Sequence, residues 1–167
     1  MKNILLGFII LSAVCISCSK KDTACNLNDS NITASAGETA NVQAYLTSQG
    51  ITATQHSSGF FYRITQAATG KAVVNLCSSI IIKYTGKLTN GTVFDQTPAG
   101  ETSLFVLGQL IVGWQKGLPL ISSGGKITLY IPPSLGYGST DVKNSAGAVI
   151  VPANSILIFD IDLLGVL

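Results

Sequence analysis

Charge is the scarcest commodity in this chain. Only 11% of its 167 residues are Asp, Glu, Lys or Arg, against about 25% in an average soluble domain. The surface must therefore rest on Ser, Thr, Asn and Gln. Ten basic side chains face eight acidic ones without forming a cluster, which excludes nucleic acid as a partner, because phosphate contacts need gathered Lys and Arg. Histidine is scarcer still: His56 stands alone in the polar link "TATQHSSG", where a solvated loop side chain is expected. One imidazole and a few uncommitted cysteines cannot complete a zinc set, so no metal and no cofactor are expected. The glycines of "GQLIVG" and "SSGG" lack the lysine of a phosphate loop. A membrane-spanning run is missing too, since the apolar stretch that begins at Ile4 meets Ser17, Cys18 and two lysines before the about 20 residues a spanning helix needs. No internal repeat is visible.

Lys2 followed by the apolar run Ile4 to Val14 fits a secretory signal over residues 1–17. The segment "CISCSKKD" resembles a bacterial lipoprotein cleavage site, with Cys18 as the acylated first residue of the mature chain. Cys15 occupies the position where such sites carry an aliphatic residue and is the alternative lipidated cysteine; an ordinary cleaved signal is the other reading. Removing residues 1–17 takes away Lys2 and leaves nine basic side chains, 10 minus 1, against eight acidic. Charge steering is then not available to the protein. Cys25 and Cys77 remain, and in an exported chain they are a candidate disulfide. The alternative makes Cys77 a small buried residue at a strand start and Cys25 a tether thiol.

Residues 18–37 are polar and turn-rich, without a sustained period, and read as a flexible tether. In residues 38–59, Val42, Tyr45, Leu46 and Gln49 recur at helical spacing and Gly50 suits a stop, so a lead-in helix over Glu38 to Gln49 is expected. Its apolar face is too small to fold alone and calls for packing on the main domain or on a partner. From residue 60 to 167 the period changes to strands. "FFYRIT", "SSIIIKYTGKL", "SLFVL", "KITLYI" and "SILIFDIDLL" alternate. Asn90-Gly91 predicts a tight hairpin after the second of them, and "VGWQKGLPL" allows one short helix, with Trp114, Leu118 and Ile121 on a face and Pro119 limiting its length. Antiparallel strands with one short helix indicate an α+β domain.

Four segments in succession, "KYTGKLTNGTVFD", "LFVLGQLIVGW", "GGKITLYIPPSLGYG" and "VPANSILIFDIDLL", resemble the FKBP-type peptidyl-prolyl cis-trans isomerases. The lipoprotein leader and helical lead-in look like exported bacterial members of that family. The resemblance implies a curved antiparallel sheet wrapped around the short helix, with a site between them that rotates X-Pro bonds in proline-containing polypeptide clients. Carried over, Trp114 is the floor, Tyr84, Phe94, Ile111, Tyr137 and Phe159 are walls, Leu110 lies at the rim, and Ile150 and Val151 cover the pocket. Asp95 is the polar pocket residue, and the Ile111 N–H is the donor to the substrate carbonyl. Ser103 replaces an aromatic usual in the family, and the stretch between Gly108 and Trp114 is shorter than in its best-known members. The expected protein is a monomeric isomerase of the bacterial envelope, anchored to the membrane by lipid. Its rival is a chaperone-like or scaffold lipoprotein that only holds peptides in the same groove. Without the family pattern, Trp114, Phe94 and Phe159 are ordinary core residues and Asp95 a strand-end carboxylate. Asp160 and Asp162 alternate with Phe159 and Ile161 and mark the solvated outer face, while residues 139–147, "STDVKNSAG", read as a mobile flap.

Overall fold

The computed structural model describes residues 25–167; the expected secretory signal, Cys15, Cys18 and the first part of the expected tether lie outside the described residues. The chain enters at Cys25, which is joined to Cys77 by a disulfide with Cα atoms 5.7 Å apart. Cys77 is exposed on a turn organised by Asn75, not buried at a strand start, and Cys25 packs against the core. A link across 52 residues contributes about 4 kcal/mol in the loop-entropy account. The described part of the expected tether is thus held at both ends, since Ala34 N–H donates to the Ser58 carbonyl and Ser35 caps the first helix.

That helix, α1 (Ala36–Ser48), starts two residues before the expected Glu38 because Ser35 and Glu38 form a reciprocal capping box. It ends at Gly50, where Gly50 N–H donates to Thr47 and Ile51 N–H to Leu46, a Schellman closure that brings Ile51 back onto the helix. Val42 and Leu46 are buried against Phe61, Tyr130 and Ile158. The lead-in helix therefore packs on the domain itself, covering part of the outer face of the sheet.

The sheet is built from β1 (Thr54–Gln55), β2 (Phe61–Gln66), β3 (Ser79–Leu88), β4 (Val93–Gln96), β5 (Ser103–Val106), β6 (Lys126–Ile131) and β9 (Leu157–Val166), all pairs antiparallel. Its order is β1-β2-β6-β9-β3-β4, with β5 taking the place of β4 along the first half of β3. The long strands β3 and β9 form the centre. The Thr89-Asn90-Gly91 loop joins β3 to β4, and only Gly91 has a positive φ, 86°. The Asn-Gly pair thus works as a three-residue loop with a glycine bulge instead of a two-residue turn, and a separate irregularity farther along the ladder shifts pairing between Gly86 and Lys87.

On the inner face lies α2 (Val112–Gly117), continued by a 3-10 turn over Leu118–Leu120. Gly113 and Gly117 face Ile131 and Leu129 so closely that a Cβ on either would sit 2.6 to 2.7 Å from those side chains. That closeness seals one end of the core, in which Ile80, Ile82, Leu107, Leu118, Leu129, Leu135, Leu157 and Leu163 are fully enclosed. The expected flap, residues 139–147, supplies β7 (Val142–Lys143) and the turn of a small hairpin whose second strand, β8 (Val149–Val151), lies just beyond it; at the turn, the Asn144 side chain accepts from Ala146 and Ala148 N–H. His56 departs from the loop expectation as well. It is half-buried, stacks on Phe60 at 4.4 Å and accepts from Ser58 N–H through Nδ1; burial first, and the charge of Lys116 second, hold it below its ordinary pKa.

Candidate active site

Alternation along β3 and β9 aims Tyr84 and Phe159 inward from the sheet centre, where both meet the indole of Trp114 from α2. The ring centroids of Tyr84 and Phe159 lie 5.2 and 5.0 Å from that of Trp114, nearly perpendicular to it, the edge-to-face arrangement aromatic quadrupoles prefer. Phe105 from β5 makes a third such contact at 6.5 Å. Phe94 from β4 stands against Phe159 at 5.5 Å and against Tyr137 at 6.3 Å. This stacking is possible because Gly86 has no side chain: a Cβ there would fall 2.7 Å from Phe159 and 2.8 Å from Phe94.

Between these rings opens a cleft of about 250 Å³ lined by Tyr84, Asp95, Phe105, Gln109, Leu110, Ile111, Trp114, Tyr137 and Phe159. Trp114 is buried and its Nε1 finds no acceptor among the described residues, so packing alone holds the floor. The Tyr84 hydroxyl donates to Asp95 Oδ2 at 2.7 Å. Burial, and then the adjacent Asp95, push the Tyr84 hydroxyl well above its ordinary pKa; burial and then Asp95 also raise that of Tyr137. Both phenols stay protonated donors through the physiological range. The acid has no histidine or serine partner among the described residues, and the arrangement offers no nucleophile–base pair of the kind covalent catalysis uses.

One face of the cleft is set by backbone. Ile111 is the N-cap of α2, in extended conformation, and its N–H donates to no protein acceptor among the described residues. The preceding carbonyl, that of Leu110, accepts from Gln115 Nε2 at 2.7 Å, and Gln115 also reaches the Gly108 carbonyl. Gln115 thereby fixes the plane of the Leu110–Ile111 peptide and leaves its N–H free on the cleft wall.

Of the residues expected from sequence, Tyr84, Asp95, Leu110, Ile111, Trp114, Tyr137 and Phe159 converge on this one cleft. Phe94 does not line it and instead braces Phe159 and Tyr137 from behind. Val151 is a core residue, 1% exposed, and Ile150 is partly buried against the same cluster; neither lines the cleft. Phe105 and Gln109 were not anticipated as lining residues. Alternation in β5 carried a signal for Phe105, whereas Gln109 sits in a 3-10 turn with no period to mark it. Ser103, in place of the family's aromatic, is half-buried and hydrogen-bonded to Thr97 at 3.0 Å. Among the described residues no cluster of His, Cys, Asp or Glu suits a metal ion.

Residues 70–164 match the sequence pattern of the FKBP-type peptidyl-prolyl cis-trans isomerases. The chain is similar to the FKBP-type isomerase FkpA of Buchnera aphidicola subsp. Schizaphis graminum, 44% identical over 111 residues that make up 66% of this chain and 42% of the relative. It is likewise similar to FkpA of Escherichia coli K12, at 40% identity over 66% of this chain and 38% of the relative, so it spans about two fifths of these relatives' length. Among solved structures, that of FkpA from Escherichia coli superposes with TM-score 0.65 at 35% identity, covering 78% of this chain and 60% of that one. AtFKBP13 follows at TM-score 0.62 and 33% identity, covering 68% and 98%. With fold, cleft and sequence pattern in agreement, the chain belongs to the FKBP-type peptidyl-prolyl cis-trans isomerase family.

Proposed function

We propose that this protein is a peptidyl-prolyl cis-trans isomerase that speeds X-Pro bond rotation in exported polypeptides, carried on the bacterial envelope by a lipid on Cys18. The observation that carries the reading is the cleft itself: an indole floor, aromatic walls, two phenol donors and a free backbone N–H, with no covalent machinery beside them. Rotation about a peptide bond meets a barrier of about 18 to 20 kcal/mol because amide conjugation is lost on the way, yet no bond is made or cut. Both isomers of X-Pro are populated, and uncatalysed exchange takes tens of seconds or more. A catalyst has to supply only a setting in which the twisted amide is better accommodated than the planar one.

The prolyl ring fits a dry aromatic pocket. Its amide, once twisted, has lost charge separation and with it part of its reason to prefer water. Ile111 N–H holds the substrate carbonyl while Tyr137 donates nearby, so the donors are in place before the bond turns. Asp95 organises the Tyr84 hydroxyl and moves no proton in the reaction.

A protease-coupled assay on X-Pro peptides tests the reading. Acceleration by the intact chain is expected, and peptide binding without acceleration would make the protein a non-catalytic holder instead. Mass spectrometry of the native N-terminus tests the anchor, with acyl chains expected on Cys18 and an unmodified soluble product removing it.

A further inference from the structure

Glu38 lies in the first turn of α1, before the residues that match the family, yet its carboxylate reaches into the polypeptide that forms the cleft. Four donors converge on it. Ser35 N–H and Ser35 Oγ bond to Oε2 at 2.9 and 3.1 Å as part of the helix cap. The other two come from 96 residues away and are not needed by the helix: Ser134 N–H donates to Oε1 at 2.9 Å and Ser134 Oγ to Oε2 at 3.0 Å. Burial alone would raise this carboxyl's pKa, but the bonds from Ser35 and Ser134 outweigh it and hold the group below its ordinary value, so it stays an anion and a strong acceptor.

Ser134 belongs to the 3-10 turn Pro133–Leu135, three residues before Tyr137. Pro132 and Pro133 have no N–H to give. Leu135 N–H is taken by Pro132, and Gly136 and Gly138 N–H are both taken by Pro133. The Ser134 N–H is left over, and Glu38 accepts it. Beyond Tyr137, the Gly138 carbonyl accepts from Asn154 N–H, so the tyrosine hangs between two fixed points.

Tyr137 itself has little else to hold it. The residue is 39% exposed, its hydroxyl bonds to no protein group among the described residues, and its aromatic contact there is a near-perpendicular one with Phe94 at 6.3 Å. Tyr84, by contrast, is tied through its hydroxyl to Asp95. Where the phenol of Tyr137 sits in the cleft is therefore decided by the backbone of its turn. That turn is clamped to a helix that is itself bolted to the sheet through Val42 and Leu46.

We infer that Glu38 is a positioning residue of the active site: through its two bonds to Ser134, the lead-in helix sets the turn that presents Tyr137 to the substrate. The inference rests on the isomerase reading of the cleft, and its test separates the two. In the full-length protein, Glu38→Ala is expected to lower kcat/KM about ten-fold, as losing bonds to a charged acceptor would. Glu38→Gln, which still offers one amide oxygen to Ser134 N–H, is expected to recover part of that rate. Ser35→Ala removes the cap and leaves the Ser134 bonds, so it should lower melting temperature as Glu38→Ala does while keeping the rate. In a Tyr137→Phe background, Glu38→Ala should cost less than about two-fold more, because the two residues act as one unit. The Tyr137 ring resonances, followed by NMR without substrate, should shift or broaden in Glu38→Ala and not in Ser35→Ala. An undiminished rate in Glu38→Ala, or equal losses with Tyr137 and Phe at the second position, overturns the positioning role. Should the unaltered protein show no isomerisation, the function reading falls, and unchanged Tyr137 resonances in Glu38→Ala would then sink the clamp by themselves.

Discussion

The two faces of β3 and β9 are made by neighbouring residues and could hardly differ more. Inward, Tyr84, Phe159 and Ile161 point to Trp114 and the core. Outward, one residue along, Lys87 pairs with Asp160, Thr128 donates to the same carboxylate, and Lys126 pairs with Asp162. A period of two separates an aromatic cleft from a solvated ladder of ions. Among the described residues, the strands of this sheet carry three carboxylates, Asp95, Asp160 and Asp162; only Asp95, on the edge strand β4, lines the cleft, and it is taken up by a tyrosine. The same sheet supplies both surfaces, so the effect of a substitution should follow the face it lies on, not the strand.

The largest expected difference concerns the floor. Trp114→Ala should destabilise the domain by about 3 to 5 kcal/mol, the usual range for deleting a buried large aromatic, and should abolish catalysis as the pocket loses its base. Trp114→Phe removes no hydrogen bond, since Nε1 has no partner among the described residues, and should retain most of the stability. Urea titrations read both. If Trp114→Ala proves no more costly than Asp160→Ala on the outer face, the contrast between the faces fails.

Next come the polar groups on the cleft wall. Tyr84→Phe breaks the bond to Asp95 without opening a cavity and is expected to lower kcat/KM about ten-fold, in line with a bond to a charged group, with only a small fall in melting temperature. A loss confined to melting temperature would make the pair structural. Alkaline titration sharpens the point. Tyr84 and Tyr137 have folded pKa values raised above the ordinary 10, so the native state holds these protons more tightly than the unfolded chain. Their contribution is complete below about pH 10 and is lost as pH rises through the folded values. Tyr84→Phe should weaken that alkaline decline, as followed by thermal melts at increasing pH.

Sequence patterns revealed the inner face better than its edges. Alternation placed Ile80, Ile82 and Tyr84 on one side of β3, helical spacing put Trp114, Leu118 and Ile121 on another buried face, and all behave so in three dimensions. The family pattern, not periodicity, was needed to promote Trp114 and Phe159 from core to cleft. What escaped was set by contacts that no sequence period marks. Val151 looked like a cover and is core, packed into the main hydrophobic cluster. His56 looked solvated and is stacked because β1 and β2 bring it over Phe60. The expected helix start at Glu38 missed the Ser35–Glu38 cap, and nothing in the sequence announced Ser134, whose N–H lies in the opening of a 3-10 turn that offers it no acceptor of its own.

The smallest effect is expected on the outer face, where it completes the comparison. Lys87 Nζ lies 2.8 Å from Asp160 Oδ2, but both side chains are well exposed, at 37% and 50%, and water and salt screen such a pair. A double-mutant cycle of Lys87→Ala and Asp160→Ala should therefore give a coupling of about 0.2 to 1 kcal/mol that shrinks as salt is added. Lys87 extends outward from β3, three residues beyond Tyr84 and on the opposite face, so Lys87→Ala should leave kcat/KM within about two-fold of the unaltered protein, as surface changes away from a site usually do. A Lys87→Ala enzyme slowed as much as Tyr84→Phe would mean that the sheet transmits what happens on one face to the other, and that the cleft's geometry depends on the charges behind it.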